Sequence, residues 1–144
     1  MSNSNRESMN VIVTDDGFRP DDWNRPFEAL DALIEAKGGE AVDVASDTSP
    51  EALERLLGAK MIRVDFPSSN DGRGFTLARQ LRRLGYPGRL RARGHVLADQ
   101  YAMARRSGFD EVEIAPDLAR RQTEDQWLSR ADWQARDYQS RLRG

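Results

Sequence analysis

Four stretches of the chain alternate apolar and charged residues at every second position. Val42 and Val44 flank Asp43; Ile62, Val64 and Phe66 interleave with Arg63 and Asp65. Leu90 and Ala92 interleave with Arg89, Arg91 and Arg93, and Val112 and Ile114 with Glu111 and Glu113. A period of two marks a strand whose side chains switch faces at each residue, so the pattern predicts strands over 41–45, 61–66, 89–93 and 111–114. Val11-Ile12-Val13-Thr14 reads as a further short strand, with Asp16-Gly17 as the turn signal behind it. Between the strands the period becomes helical. Phe27, Leu30, Leu33 and Ile34 share one face of a helix predicted over 26–37 and stopped by Gly38-Gly39. Ser49 is placed to cap a second, with Pro50 in its first position and Leu53, Leu56 and Leu57 inward. Helices follow over 75–84 (Leu77, Ala78, Leu81, Leu84) and 96–106 (Leu97, Tyr101, Ala104). Thr123 and Gln126 form a capping-box pattern ahead of a long helix with a Trp127, Ala131, Ala135, Tyr138, Leu142 stripe that reads as core.

Strands alternating with helices of this length imply βα units and a mostly parallel sheet. An ordinary parallel sheet is buried on both faces and reads as continuous hydrophobic sequence; here one face of every strand is charged. The expected fold is therefore a two-layer α/β domain resembling half of a βα barrel, helices on one face and charge on the other. Residues 1–10 read as a disordered tail and 11–144 as one α/β domain. On the charged face, Arg63, Asp65, Arg91, Glu111 and Glu113 are expected to form a cross-strand ion-pair ladder. In it, Asp65 meets Arg91 or Arg93, and these meet Glu113. Solvated, each pair contributes roughly 0.2–1 kcal/mol; burial by a second subunit, making a homodimer, is the alternative setting for so charged a face.

The chain has no cysteine and one histidine, His95. That excludes disulfides, thiolate nucleophiles and Cys-ligated iron–sulfur clusters, and it argues against a zinc site of the usual Cys/His kind. No metal site is expected. The net charge is −2, yet residues 73–106 hold nine arginines and one acid, Asp99. Arginine favours planar, bidentate contacts to carboxylate, sulfate or phosphate. Arg79, Arg82 and Arg83 lie opposite the apolar face of their helix, as a solvated surface or as a docking face for an acidic protein. Nucleic acid fits less well, because the total charge is negative and no aromatic interleaves with the arginines. No apolar run is long enough to span a bilayer, and the polar start lacks the apolar core of a secretory signal. A cytoplasmic protein is expected.

Loops that follow parallel strands gather on one edge of the sheet, where α/β proteins commonly bind ligands. They bring Asn70, Asp71, Gly72, Arg73 and Gly74, then Arg93, Gly94, His95 and Asp99, then Pro116 and Asp117. One reading is a pocket for a small anion, with Arg73 and Arg93 as charge partners and His95 as proton donor. The other is structural: Asp71 and Asp99 cap helices and the glycines make turns. Asp71-Gly72-Arg73-Gly74 is not a Gly-x-Gly-x-x-Gly fingerprint, so no flavin or nicotinamide is expected and no catalytic residue is assigned.

The run Asp65-Phe66-Pro67 … Asp71-Gly72-Arg73-Gly74-Phe75, then Ala78-Arg79-Gln80-Leu81-Arg82, Gly85-Tyr86 and Gly88, carries a family resemblance. Leu90-Arg91-Ala92-Arg93-Gly94-His95-Val96-Leu97-Ala98-Asp99-Gln100, Arg106-Ser107-Gly108-Phe109-Asp110 and the later Tyr138-Gln139 extend it. These residues resemble an uncharacterised bacterial family, a domain of unknown function that bears an oxidoreductase label tied to sulfite reduction and is found beside assimilatory sulfite reductase genes. The resemblance is dense over residues 60–115 and thin before Asp43. Many members carry a cysteine where Ser107 stands, so the shared function does not need a thiol there. The resemblance implies an accessory protein of assimilatory sulfite reduction that docks with the sulfite reductase hemoprotein and has no redox centre of its own. The alternatives are a small enzyme or carrier for sulfite, sulfate or a phosphate ester at the sheet edge, and a homodimer formed through the charged faces.

Overall fold

The computed structural model describes residues 9–134. Seven strands form one sheet: β1 (Val11–Thr14), β2 (Gly17–Pro20), β3 (Glu28–Ala29), β4 (Ala41–Val44), β5 (Met61–Phe66), β6 (Arg89–Gly94) and β7 (Glu111–Ile114). Their order across the sheet is β2-β1-β7-β6-β5-β4-β3. Strands β3 to β7 are parallel; β1 runs antiparallel to both β7 and β2. Because β3 to β7 follow one another in sheet order, right-handed connections all fall on the same face. That face carries the helices α1 (Arg73–Arg83), α2 (Tyr101–Ser107), α3 (Pro116–Arg121) and α4 (Glu124–Leu128), with a 3-10 helix over Pro50–Leu56. This is the mostly parallel α/β architecture that the alternation implies.

The core lies between sheet and helices. Val42, Val44, Ile62, Val64, Leu90, Ala92, Val112 and Ile114 meet Leu53, Leu56, Leu77, Ala78, Leu81, Tyr101, Ala104 and Trp127. Phe66, Phe75 and Phe109 stack at 4.9–6.5 Å between ring centroids, close enough for edge-to-face attraction. The α1 helix begins at Arg73 rather than Phe75, because Gly74 lets the first turn pass directly over Phe66; a Cβ there would lie 2.5 Å from that ring. The predicted helix over 96–106 divides into a 3-10 turn over Ala98–Gln100 and α2.

Two predictions about the ends of the chain are corrected. The helix expected over 26–37 is absent: Glu28–Ala29 is a strand, Leu30–Ala32 a 3-10 turn, and Ile34 is 91% exposed. The reason is topological. The chain leaves β2 at one edge of the sheet and must enter β3 at the other. Six strand spacings of about 4.8 Å make a span of roughly 29 Å, whereas the eight steps from Pro20 to Glu28 reach roughly 26–29 Å fully extended. Only an extended strap fits as far as Glu28, because a helix rising about 1.5 Å per residue falls short; the crossing and β3 thus take the first turn of the predicted helix. The long C-terminal helix also stops early, since α4 ends at Leu128; Ala135, Tyr138, Gln139 and Leu142 lie outside the described residues. Thr123 starts α4 with its backbone carbonyl, which accepts the Gln126 N–H, and not with its side chain.

The strap crosses the charged face and closes it. Asp21 accepts two hydrogen bonds from Arg91, Asp22 accepts one from Arg89, and the Phe27 ring lies 3.6 Å from the Arg63 guanidinium carbon. Beneath it Arg91 is fully buried, with Glu111 and Glu113 nearly so. Arg91 donates to Glu111 at 2.5 Å and to Glu113 at 2.9 Å, while Arg63 bridges Asp43 and Glu113 at 2.6 and 3.0 Å. The ladder exists, with one correction: Asp65 takes part in none of its ion pairs, and Asp43 holds Arg63 instead. The burial comes from the chain's own strap, so these charges need no second subunit to cover them.

Burial alone would raise the Glu113 pKa, but the hydrogen bond from Asn10 and the charges of Arg63 and Arg91 outweigh it and hold the carboxyl below its ordinary 4.5. A depressed carboxyl stabilises the fold above its unfolded pKa and loses that contribution as pH falls through the folded value. Urea midpoints should therefore be flat above about pH 5 and fall steadily below about pH 4.5, less steeply in Glu113→Gln. Replacing Arg91 by Met takes one buried partner from each of Glu111 and Glu113, leaving them to Arg89, Arg63 and Asn10, and should cost about 3–5 kcal/mol in the same titration.

Candidate functional site

The loop edge of the parallel strands does not form a single pocket. It divides the sequence-predicted residues among three places. The first lies at the start of α1. Asp71 accepts the Arg73 backbone N–H at 3.1 Å and binds the Arg73 side chain through Nε and Nη2 at 2.9 and 2.8 Å. Ser46, at the end of β4, donates to the other Asp71 oxygen at 2.9 Å. The Arg73 contacts, side chain first and backbone second, hold the Asp71 carboxyl far below the usual carboxylate range. Asp71 is thus the anion at this helix end, stabilised by the Arg73 backbone N–H as helix starts generally allow. Arg73 itself stays 61% exposed and lines a cavity of about 270 Å³ with Ser46, Asp47, Thr76 and Gln80. Gly72 is exposed at the turn before the helix.

The second place is around Asp99. Its carboxylate accepts from Arg130 at 2.9 Å and caps no helix. The cap of that turn is Gln100, whose side chain accepts the Leu97 N–H and donates to the Ser69 carbonyl. Asp117, in α3, pairs with Arg120 one turn later on the same helix.

The third is a cleft where β5, β6 and β7 end. Asp65, Arg93, Gly94, His95 and Glu113 surround it, with Asn10, Phe66, Pro67 and Ala115, enclosing about 310 Å³. Gly94 makes this corner possible. Its φ is +116°, a value that side chains rarely adopt, and a Cβ would lie 2.5 Å from the Phe66 carbonyl oxygen. That same oxygen accepts the His95 N–H at 2.9 Å. The structure therefore brings Arg93, Gly94 and His95 together with Asp65 and Glu113 of the charged face, and separates them from Asp71 and Arg73.

The family model described as a bacterial protein of unknown function (DUF934) matches residues 41–144. The chain belongs to that family. No curated protein and no solved structure matches the chain. The DUF934 stretch begins with β4 and takes in α1, α2 and the loop-edge residues other than Asn10; β1, β2, the strap, β3 and Asn10 precede it.

Sequence reasoning missed Ser46, Asn10, Asp21 and Asp22 as partners of these charges. The last two had a signal: Asp21-Asp22-Trp23 sits between Pro20 and Pro26, and prolines favour extended chain before them. Among the described residues, no group of three or more His, Asp or Glu side chains is placed to hold a metal ion. No described helix is long and apolar enough to cross a membrane.

Gly94→Ala should lower stability by roughly 1–3 kcal/mol in a urea titration, since it forces a strained φ and a backbone clash together. Gly72→Ala, with nothing within 4 Å of its Cβ position, is the matched control and should change little.

Proposed function

We propose that the protein is an accessory protein that docks onto an acidic surface of a partner enzyme through the outer face of α1 and α2. One observation carries this reading: the two neighbouring helices contain six arginines and no carboxylate, in a chain whose net charge is −2. Part of that charge is used internally. Arg82 donates to the carbonyls of Gly108, Tyr86 and Gly88 and to Asp110; Arg105 pairs with Asp15. Arg79 is exposed and donates to Ser107 at 3.0 Å. Arg83 and Arg106 are exposed and have no hydrogen-bond or ion-pair partner among the described residues.

Exposed apolar side chains accompany them. Met103 is 46% exposed one turn before Arg106, and Leu84, 41% exposed, lines a shallow groove with Pro50, Glu54, Gln80 and Arg83. Arginine beside exposed methionine and leucine is the composition of an interface more than of an idle surface. The charged sheet face supports docking less, because its guanidinium groups are already matched by carboxylates beneath the strap.

The family resemblance nominates the partner: the hemoprotein of assimilatory sulfite reductase. Docking explains how a chain with no redox motif accompanies a redox reaction, acting on assembly or access at the enzyme. The alternative of a small-anion carrier at the α1 start has weaker support, since Asp71 already fills the helix end.

Mixing the protein with the sulfite reductase of its own host at micromolar concentration should give co-elution in gel filtration with light scattering. The complex should weaken with added salt, and the double variant Arg83→Glu, Arg106→Glu should reduce affinity by about tenfold or more. Separate peaks for the unaltered proteins would overturn the reading.

A further inference from the structure

The cleft at the ends of β5, β6 and β7 holds a pair of charges that the rest of the sheet does not account for. Asp43, Arg63, Arg89, Arg91, Glu111 and Glu113 are all tied into the network under the strap. Asp65 and Arg93 stand apart. They occupy opposed register positions on adjacent strands, where opposite charges ordinarily pair, yet they form no ion pair with each other. Asp65 forms none with any described residue. The ion-pair contact of Arg93 is from Nε to Glu113 Oε2 at 3.7 Å, longer than a hydrogen bond. Both line the same cleft of about 310 Å³.

We infer that this cleft binds a small zwitterion of the α-amino-acid kind, its ammonium on Asp65 and its carboxylate on Arg93. The charge arrangement selects both groups at once. A simple anion gains Arg93 but faces Asp65; a simple cation gains Asp65 but faces Arg93. Glu113 does not compete for the ammonium, because Arg63, Arg91 and Asn10 already engage its oxygens. Arg93 can grip a carboxylate with two parallel N–H donors, and His95, exposed at the rim with its backbone N–H already bonded to Phe66, offers a ring N–H beside it. Pro67 and Ala115 supply apolar wall for a short side chain, while the Phe66 ring is turned into the core. The location, beyond the carboxyl ends of parallel strands, is where open α/β sheets commonly take ligands.

The test is a two-dimensional NMR titration of the full chain with the common L-amino acids, one at a time, and with acetate and methylammonium as half-ligands. At least one amino acid should give saturable shifts at Gly94 and His95 in the millimolar range or below, with acetate and methylammonium each about tenfold weaker or worse. Asp65→Asn and Arg93→Gln should each weaken that binding by about tenfold or more. Asp65 makes no ion pair with the network under the strap and Arg93 touches it only through the 3.7 Å contact to Glu113, so both variants should keep the parent far-UV circular dichroism. Absence of saturable binding by every amino acid overturns the inference. Acetate binding as tightly as the amino acids, unaffected by Asp65→Asn, also overturns it and leaves an anion site only. The variants Arg83→Glu and Arg106→Glu lie on the helical layer and should leave the titration unchanged, so this inference and the docking reading fail separately.

Discussion

Arg91 is the constraint on which much of this structure turns. A fully buried guanidinium is costly unless it is surrounded by acceptors, because removal from water outweighs any single ion pair. Here Glu111, Glu113 and Asp21 share its donors. Two of these come from the adjacent strand and are delivered by parallel register. The third comes from a segment far away in sequence, which must lie across the sheet to reach it. Around that one cation, strand order, register and the course of the N-terminal segment become mutually dependent.

That dependence divides the molecule into two unlike layers. The helical layer is held by apolar packing, and its outer arginines are left in part for solvent or a partner. The opposite layer has little apolar material to pack beyond Ile12, Ala41 and Met61, which are buried outside the helix-side core. It is closed by a thin extended strap, an Arg63–Phe27 stacking contact and a lattice of carboxylates and guanidinium groups. The partners Asp21, Asp22 and Asn10 all precede the stretch that the DUF934 model matches. In this chain, the segment before residue 41 thus completes the electrostatics of the segment after it.

The loop edge follows from the same geometry. Neighbouring parallel strands place their following loops side by side, but the sheet is wide, and β4 and β7 end several strand spacings apart. Residues that look like one site in sequence therefore separate, Arg73 toward Ser46 and Arg93 toward Glu113. What unites Arg93 with Asp65 is register, which a list of loop residues does not contain. Asp99 shows the limit from the other side: its position before a helix suggested a cap, while the longer Gln100 side chain reaches the free N–H first.

The sequence by itself determined strands β1 and β4 to β7, the helical segments between β4 and β7 and the charged second face, because a period of two or of 3.6 is a local property that burial on one side enforces. The first of those helical segments is 3-10, and the last is divided. The bounds 61–66 and 111–114 could be read directly from it. Tertiary structure decided the rest. The apolar spacing of Phe27, Leu30, Leu33 and Ile34 is helical, yet Phe27 lies in the crossing and Glu28–Ala29 joins the sheet, so a helix cannot start where the spacing places it. Strand β2 and the strap become visible only once the two edges of the sheet are known. The pairing of individual charges also waits for the fold, since on one face of a sheet several carboxylates lie within reach of each arginine, and only register and cover choose among them.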